Sequence, residues 1–176
     1  MKIYSLLSNG LYKIISVICI LVSFEMSGCY SFTGGSLPDH LKTLYIANVV
    51  DNSGYGVPQY RENMSRLLFE KFRNDNSLKI VESSADCRLT VTISSIRESV
   101  ANIRPGEIES RRKISVVYDV EFYDNVKKKL IPLSPSNFRN EEEYDLAQMQ
   151  TGRDNAVNKI SDRTALEILM AVVSGW

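Results

Sequence analysis

The sequence predicts an α+β fold in which two helices pack on one face of a four- to five-stranded mixed, mostly antiparallel sheet, in the order β-α-β-β-β-(β)-α. Three observations carry this. Ala85, Cys87, Leu89, Val91 and Ile93 alternate with Asp86, Arg88, Thr90, Thr92 and Ser94, the two-residue period of a strand with one dry and one wet face. Ile114, Val116, Tyr118, Val120 and Phe122 repeat that period against Lys113, Ser115, Asp119 and Glu121. Two further segments, Tyr60 to Phe72 and Val157 to Ala171, carry their apolar residues at helical spacing.

Taken in order, Lys42 to Val50 is rich in β-branched and aromatic residues and stops at Asp51-Asn52-Ser53-Gly54, so it reads as one strand closed by turn chemistry. A helix follows, with Tyr60, Met64, Leu67, Leu68 and Phe72 on its buried stripe and Glu62 to Arg66 at the favourable i, i+4 spacing. Asn74-Asp75-Asn76-Ser77 ends it, and Leu78 to Val81 is a short second strand. The two alternating segments then form a long antiparallel hairpin turned at Arg104-Pro105-Gly106. Near Ser94-Ser95 the alternation slips, because Ile96 and Val100 occupy even positions, and a bulge is expected there. Cys87 points into the core.

Residues 131 to 137, with Pro132 and Pro135, read as a loop, and Phe138 to Leu146 as a solvated run or an edge strand. Adjacent carboxylates on a strand face opposite ways, so Glu141-Glu142-Glu143 is a poor catalytic set. Thr151 and Asp154 resemble a capping box for a helix from about Gly152 to Val173. Its stripe is Val157, Ile160, Thr164, Ile168 and Ala171, widened by Ala165, Leu166 and Leu169, and Gly175-Trp176 closes the chain as a C-cap and a terminal plug or partner contact.

Ahead of this domain, Lys2 and Lys13 flank the start of an apolar run, Ile14 to Phe24, that ends at Glu25 and is followed by Met26-Ser27-Gly28-Cys29. A membrane-spanning helix needs roughly 20 apolar residues, and this run is about half that length. The pattern fits a lipoprotein signal peptide over residues 1–28, with Cys29 lipidated, and the alternative is an uncleaved anchor helix. Residues 29–41, with Gly34-Gly35 and Leu37-Pro38, then form a lipidated tether, and residues 42–176 a single domain. Cys19 departs with the signal and Cys29 becomes a thioether, which leaves Cys87 as the one mature thiol and no intramolecular disulfide.

Composition narrows the function. From Cys29 onward the chain has nineteen basic and twenty acidic residues, a balance that gives no electrostatic case for nucleic acid. His40, the single histidine, has no neighbouring ligands for a metal and reads as a surface imidazole. Gly54-Tyr55-Gly56 lies between a strand and a helix, but Gln59 stands where a dinucleotide loop needs glycine or alanine, and Pro58 has no N–H for a pyrophosphate. No cofactor is expected. Without a nucleophile elbow, a histidine beside a nucleophile or a phosphate loop, the chain does not read as an enzyme. Two basic clusters, Arg111-Arg112-Lys113 and Lys127-Lys128-Lys129, are candidates for holding phosphate or sugar-acid groups of an anionic glycolipid, or are ordinary solvation of strand and turn.

Four places together resemble the LptE family of outer-membrane lipoproteins: Gly28-Cys29-Tyr30-Ser31-Phe32-Thr33-Gly34, the strand Lys42 to Ile46 after Leu37-Pro38, Ala85-Asp86 at the start of the hairpin, and the terminal Gly175-Trp176. The resemblance implies a non-enzymatic protein that plugs the LptD β-barrel, helps it assemble and assists lipopolysaccharide on its way to the outer leaflet. It also implies lipidation of Cys29, and Tyr30 in place of aspartate implies a lipid-anchored position on the periplasmic side of the outer membrane. The alternative is a stand-alone periplasmic lipoprotein that binds an anionic ligand on the polar face of its sheet.

Overall fold

A computed structural model describes residues 37–101 and 111–174. Its strands are β1 (Thr43–Ile46), β2 (Val50–Asp51), β3 (Lys79–Ile80), β4 (Cys87–Val100), β5 (Arg111–Asp124), β6 (Lys129–Ile131) and β7 (Asn137–Asp145). The helices are α1 (Pro58–Asp75) and α2 (Met149–Ser174), the second entered through a 3₁₀ turn at Leu146–Gln148. The architecture is the expected α+β one. β1 and β2 both pair with β4, and β6 and β7 both pair with β5, so the seven strands fill five columns: β3, β1 with β2, β4, β5, and β6 with β7. β1 lies parallel to both β3 and β4, and the β4–β5, β5–β6 and β5–β7 pairings are antiparallel.

The strand expected over Lys42 to Val50 is broken. After Ile46 the Ala47 amide still reaches Leu89 O, but the chain then turns so that Val49 enters the core and its amide donates to Ser65 Oγ on α1. Anchoring the helix here outweighs two more rungs of the ladder. Gly54 and Gly56 take φ of +72° and +80° in the loop that follows, a conformation that favours glycine, so this pair serves the turn. Pro58 then opens α1 at a position where its missing N–H costs nothing. Asn76 in the left-handed region closes the helix, its N–H on Phe72 O.

All nine apolar residues predicted for the dry faces of β4 and β5, and Ala85 before them, are buried, as are the five on the α1 stripe. The register shifts between Ile93 and Ser95, where a bulge was expected. The side-chain parity of β4 therefore reverses, and Ile96 and Glu98 join the helix-covered face. The expected turn at Arg104-Pro105-Gly106 lies outside the described residues, as do Cys19, Cys29, Gly175 and Trp176.

The C-terminal half needs three corrections. The loop expected from residue 131 is preceded by strand β6, which was not expected, whereas residues 137–145 form a nine-residue strand paired along β5, the edge strand offered as one of the two readings of Phe138 to Leu146. α2 starts at Met149, three residues before the expected boundary, because Asp145 accepts the Ala147 amide and starts the 3₁₀ turn. Thr151 bonds Gln148 O and forms no capping box. Finally, Leu166 faces solvent and Ala171 is half-buried, while Ala156, Ser161 and Val172 are buried. Ser161 belongs inside because its hydroxyl pairs with that of the fully buried Tyr118, 2.9 Å away, tying β5 to α2.

Cys87 is fully buried and burial pushes its thiol up to about 12. It is expected to stay unmodified by a thiol-specific reagent in the native protein at neutral pH and to react once denaturant is added. Rapid labelling without denaturant would show that the β1–β4 seam opens.

Candidate functional site

The two helices cover one face of the sheet and leave the other bare. Odd-numbered residues of β5 and β7 point to the bare face and even-numbered ones toward the helices. This parity divides the first basic cluster. Arg111 and Lys113 stand on the bare face, Arg111 3.2 Å from Glu143 and Lys113 2.9 Å from Glu141. Arg112 turns the other way and approaches Glu98 at 3.7 Å. The Glu141-Glu142-Glu143 run divides likewise, since Glu142 faces α2 and pairs with Lys159 and Arg163 at 3.2 and 3.3 Å. Beside it Asn140 donates to Thr164 and Glu167 of α2. The bare-face charges thus form a ladder that satisfies itself, each exposed rung worth at most about 1 kcal/mol.

Lys127 and Lys128 lie in the exposed turn between β5 and β6, Lys128 with φ +55°, and Lys129 is the exposed first residue of β6. The two basic clusters stand at opposite ends of β5, about 40 Å apart at the usual rise per residue. They do not converge on one ligand.

Two carboxylates organise the lysine-turn end. Asp124, 1% exposed, accepts the Val126 and Lys127 amides on Oδ1 and His40 Nε2 at 2.7 Å on Oδ2. Burial alone would raise its carboxyl, but the Lys127 amide and His40 hold it below the ordinary carboxylate range. Asp86 accepts the Thr43 hydroxyl and the Lys42 and Thr43 amides, which lowers it too. His40 is therefore a clamp on a buried carboxylate, not the surface imidazole expected, and Leu41 beside it is in the core.

At the opposite end, on the helix-covered face, lies a polar cluster that the sequence reading missed. Glu98 accepts the hydroxyls of Tyr55 and Tyr144 and sits 3.5 Å from Arg153. The Arg153 guanidinium lies over the Tyr55 ring, Tyr55 stacks on Tyr60, and Tyr60 donates to Asp154 at 2.6 Å. Burial would raise Glu98, but the two tyrosine hydroxyls and Arg153 hold it below its ordinary value. Burial followed by the Glu98 hydrogen bond pushes Tyr55 and Tyr144 each up to about 12. The cluster joins the glycine loop, β4, β7 and the start of α2, which makes it a structural lock. The signal for it was the parity slip, since Glu98 lies midway between Ile96 and Val100.

Among the described residues no group of histidine, cysteine and carboxylate side chains could hold a metal ion, and no helix is long and apolar enough to cross a membrane. A third feature is a groove of about 470 Å³ between the β6–β7 loop and α2, lined mainly by Pro135, Phe138, Leu166, Met170 and Ala171. Leu166 and Met170, one turn apart, are about half exposed.

Residues 41–172 match a family model described as LptE, lipopolysaccharide-assembly. The chain belongs to the LptE family. LptE proteins are non-enzymatic envelope lipoproteins of lipopolysaccharide assembly, and the family resemblance read from the sequence is thereby established. No curated protein sequence matches the chain. Among solved structures, an uncharacterized lipoprotein B from Nitrosomonas europaea is similar at 12% identity, covering 80% of this chain and 86% of its own, with a TM-score of 0.54. Rare lipoprotein B from Shewanella oneidensis is similar at 15% identity over 72% of this chain and 91% of its own, with a TM-score of 0.49. The first of these supports the fold of this LptE chain.

Proposed function

We propose that this LptE chain is exported with residues 1–28 as signal peptide, lipidated at Cys29, and held on the periplasmic side of the outer membrane. There it plugs and helps assemble an LptD-like β-barrel and assists insertion of lipopolysaccharide into the outer leaflet. The family match over residues 41–172 carries the reading, and the Gly28-Cys29 pair behind a short apolar run supports it. The groove beside Leu166 and Met170 is the surface proposed to meet the barrel wall, since half-exposed apolar side chains next to an apolar groove gain most from being covered. Of the six basic residues considered for lipopolysaccharide, Arg111, Arg112 and Lys113 would have to exchange their carboxylate partners for phosphate, whereas Lys127, Lys128 and Lys129 are exposed and form no ion pair among the described residues.

Extraction in mild detergent is expected to recover the protein with a large β-barrel. Leu166→Glu with Met170→Glu should reduce the recovered barrel at least about tenfold, since two charges would be buried without partners, while leaving the thermal transition within a few degrees of the parent. Recovery of the parent only as a free monomer, with the barrel intact and unlinked, would overturn the adaptor reading.

A further inference from the structure

On the bare face, one row of side chains crosses four strands near the lysine turn: Tyr45 of β1, Arg88 of β4, Tyr123 of β5 and Leu130 of β6, each paired with the next. Arg88 lies over the Tyr123 ring, 5.6 Å from its centre. Leu130 is 58% exposed, and Val126, in the turn itself, 55%. Apolar and aromatic side chains therefore stand beside three exposed lysines, with the amphipathic character of an interfacial surface.

His40, near the first described residue, stands at this same end. The Asp124 carboxylate that takes His40 on one oxygen takes the turn amides on the other, so His40 and the lysine turn are fixed side by side. Only ten residues, Tyr30 to Asp39, lie between Cys29 and His40, a reach of at most about 40 Å when fully extended. If Cys29 carries the lipid, the bilayer lies within that distance of the turn.

We propose that the end of the sheet formed by this row and the Val126–Lys129 turn rests on the surface of an anionic phospholipid bilayer and sets the orientation of the domain on its anchor. The placement rests on the lipid-anchor reading; the lipid affinity of the face does not. The acyl chains suffice for attachment, so the face supplies direction: it keeps the lysine-turn end of the sheet, and not the Glu98 end, at the bilayer surface. Lysines near an anionic surface attract it individually, and Tyr45, Tyr123 and Leu130 suit the headgroup boundary.

The Cys29→Ala chain beginning at residue 29 separates face from anchor. At low salt it is expected to sediment with vesicles of phosphatidylcholine containing phosphatidylglycerol, and less with phosphatidylcholine alone. Lys127→Gln, Lys128→Gln and Lys129→Gln together should weaken that binding by on the order of a hundredfold. Equal binding by this triple variant, or no preference for the anionic vesicles, would overturn the proposal.

In the acylated parent, a fluorophore on Val126→Cys should be quenched by lipids brominated near the headgroup, and one on Met149→Cys, at the other end of the sheet, should not. The buried Cys87 stays unlabelled in both. Equal quenching would overturn the orientation. If the parent does not float with vesicles the anchor reading falls, and the Cys29→Ala titration still decides the face.

Discussion

Glu98→Ala is expected to destabilise the domain by about 3 kcal/mol, a fall of roughly 10 °C in the melting temperature for a chain of this size. The carboxylate accepts two tyrosine hydroxyls and opposes the charges of Arg112 and Arg153. Alanine would leave all four without it, and Arg153 already has a buried Nε with no hydrogen-bond partner. Glu98→Gln keeps an acceptor but loses the charge and should fall between the two. A Glu98→Ala protein melting within a degree or two of the parent would show that the cluster is no lock.

This cluster and the Asp124 and Asp86 carboxylates at the other end of the sheet together set the pH range. Glu98 and Asp124 titrate below their unfolded values near 4, so their stabilisation is complete above about pH 5.5 and is lost as pH falls through the folded values. Tyr55 and Tyr144, raised from 10 to about 12, contribute fully below pH 10 and lose that contribution as pH rises toward 12. Stability should therefore be flat between these limits, and Glu98→Gln should make the acid limb shallower without removing it, because Asp124 and Asp86 remain.

Made behind a leader that is cleaved at residue 29, and with Leu166→Glu and Met170→Glu to release the barrel, Cys29→Ala is expected to move the protein from the membrane fraction to the soluble periplasm almost completely, under the lipid-anchor reading. Stable attachment takes two lipid signals or one with a basic patch, and a lipidated N-terminal cysteine supplies more than one acyl chain. Without it the lysine turn is left alone, which holds a protein only weakly and lets go in salt. A variant that fractionates like its parent would exclude lipid at Cys29. The intact mass of detergent-extracted parent gives the complementary test, by the mass added to a chain that starts at residue 29.

What the sequence made legible followed from local periods. The hairpin β4–β5 and the stripe of α1 could be read because each residue's environment depends on neighbours two to four positions away. The break between β1 and β2 could not, since Val49 leaves the strand to reach Ser65 on a helix not yet formed when that stretch is read. Leu166 was misread because its place on the helix stripe fits burial, while in the structure it borders the open groove between α2 and the β6–β7 loop and is about half exposed. The Glu98 cluster needed Tyr55, Tyr144 and Arg153, from three distant segments, and His40 looked isolated because Asp124 is far along the chain. Of the candidate site residues, Arg111, Arg112 and Lys113 read as one patch only if strand parity is ignored.

The fixing of residues 40–43 has a mechanical consequence. Any pull from a membrane-anchored N-terminus enters the domain along β1, between β3 and β4, with backbone hydrogen bonds to both neighbours and the Asp86 and Asp124 contacts at its mouth. Force along that axis loads these bonds together in shear instead of peeling them one by one. If Cys29 is lipidated as proposed, tension from a fluctuating bilayer would therefore load β1 between two paired neighbours instead of unzipping an edge.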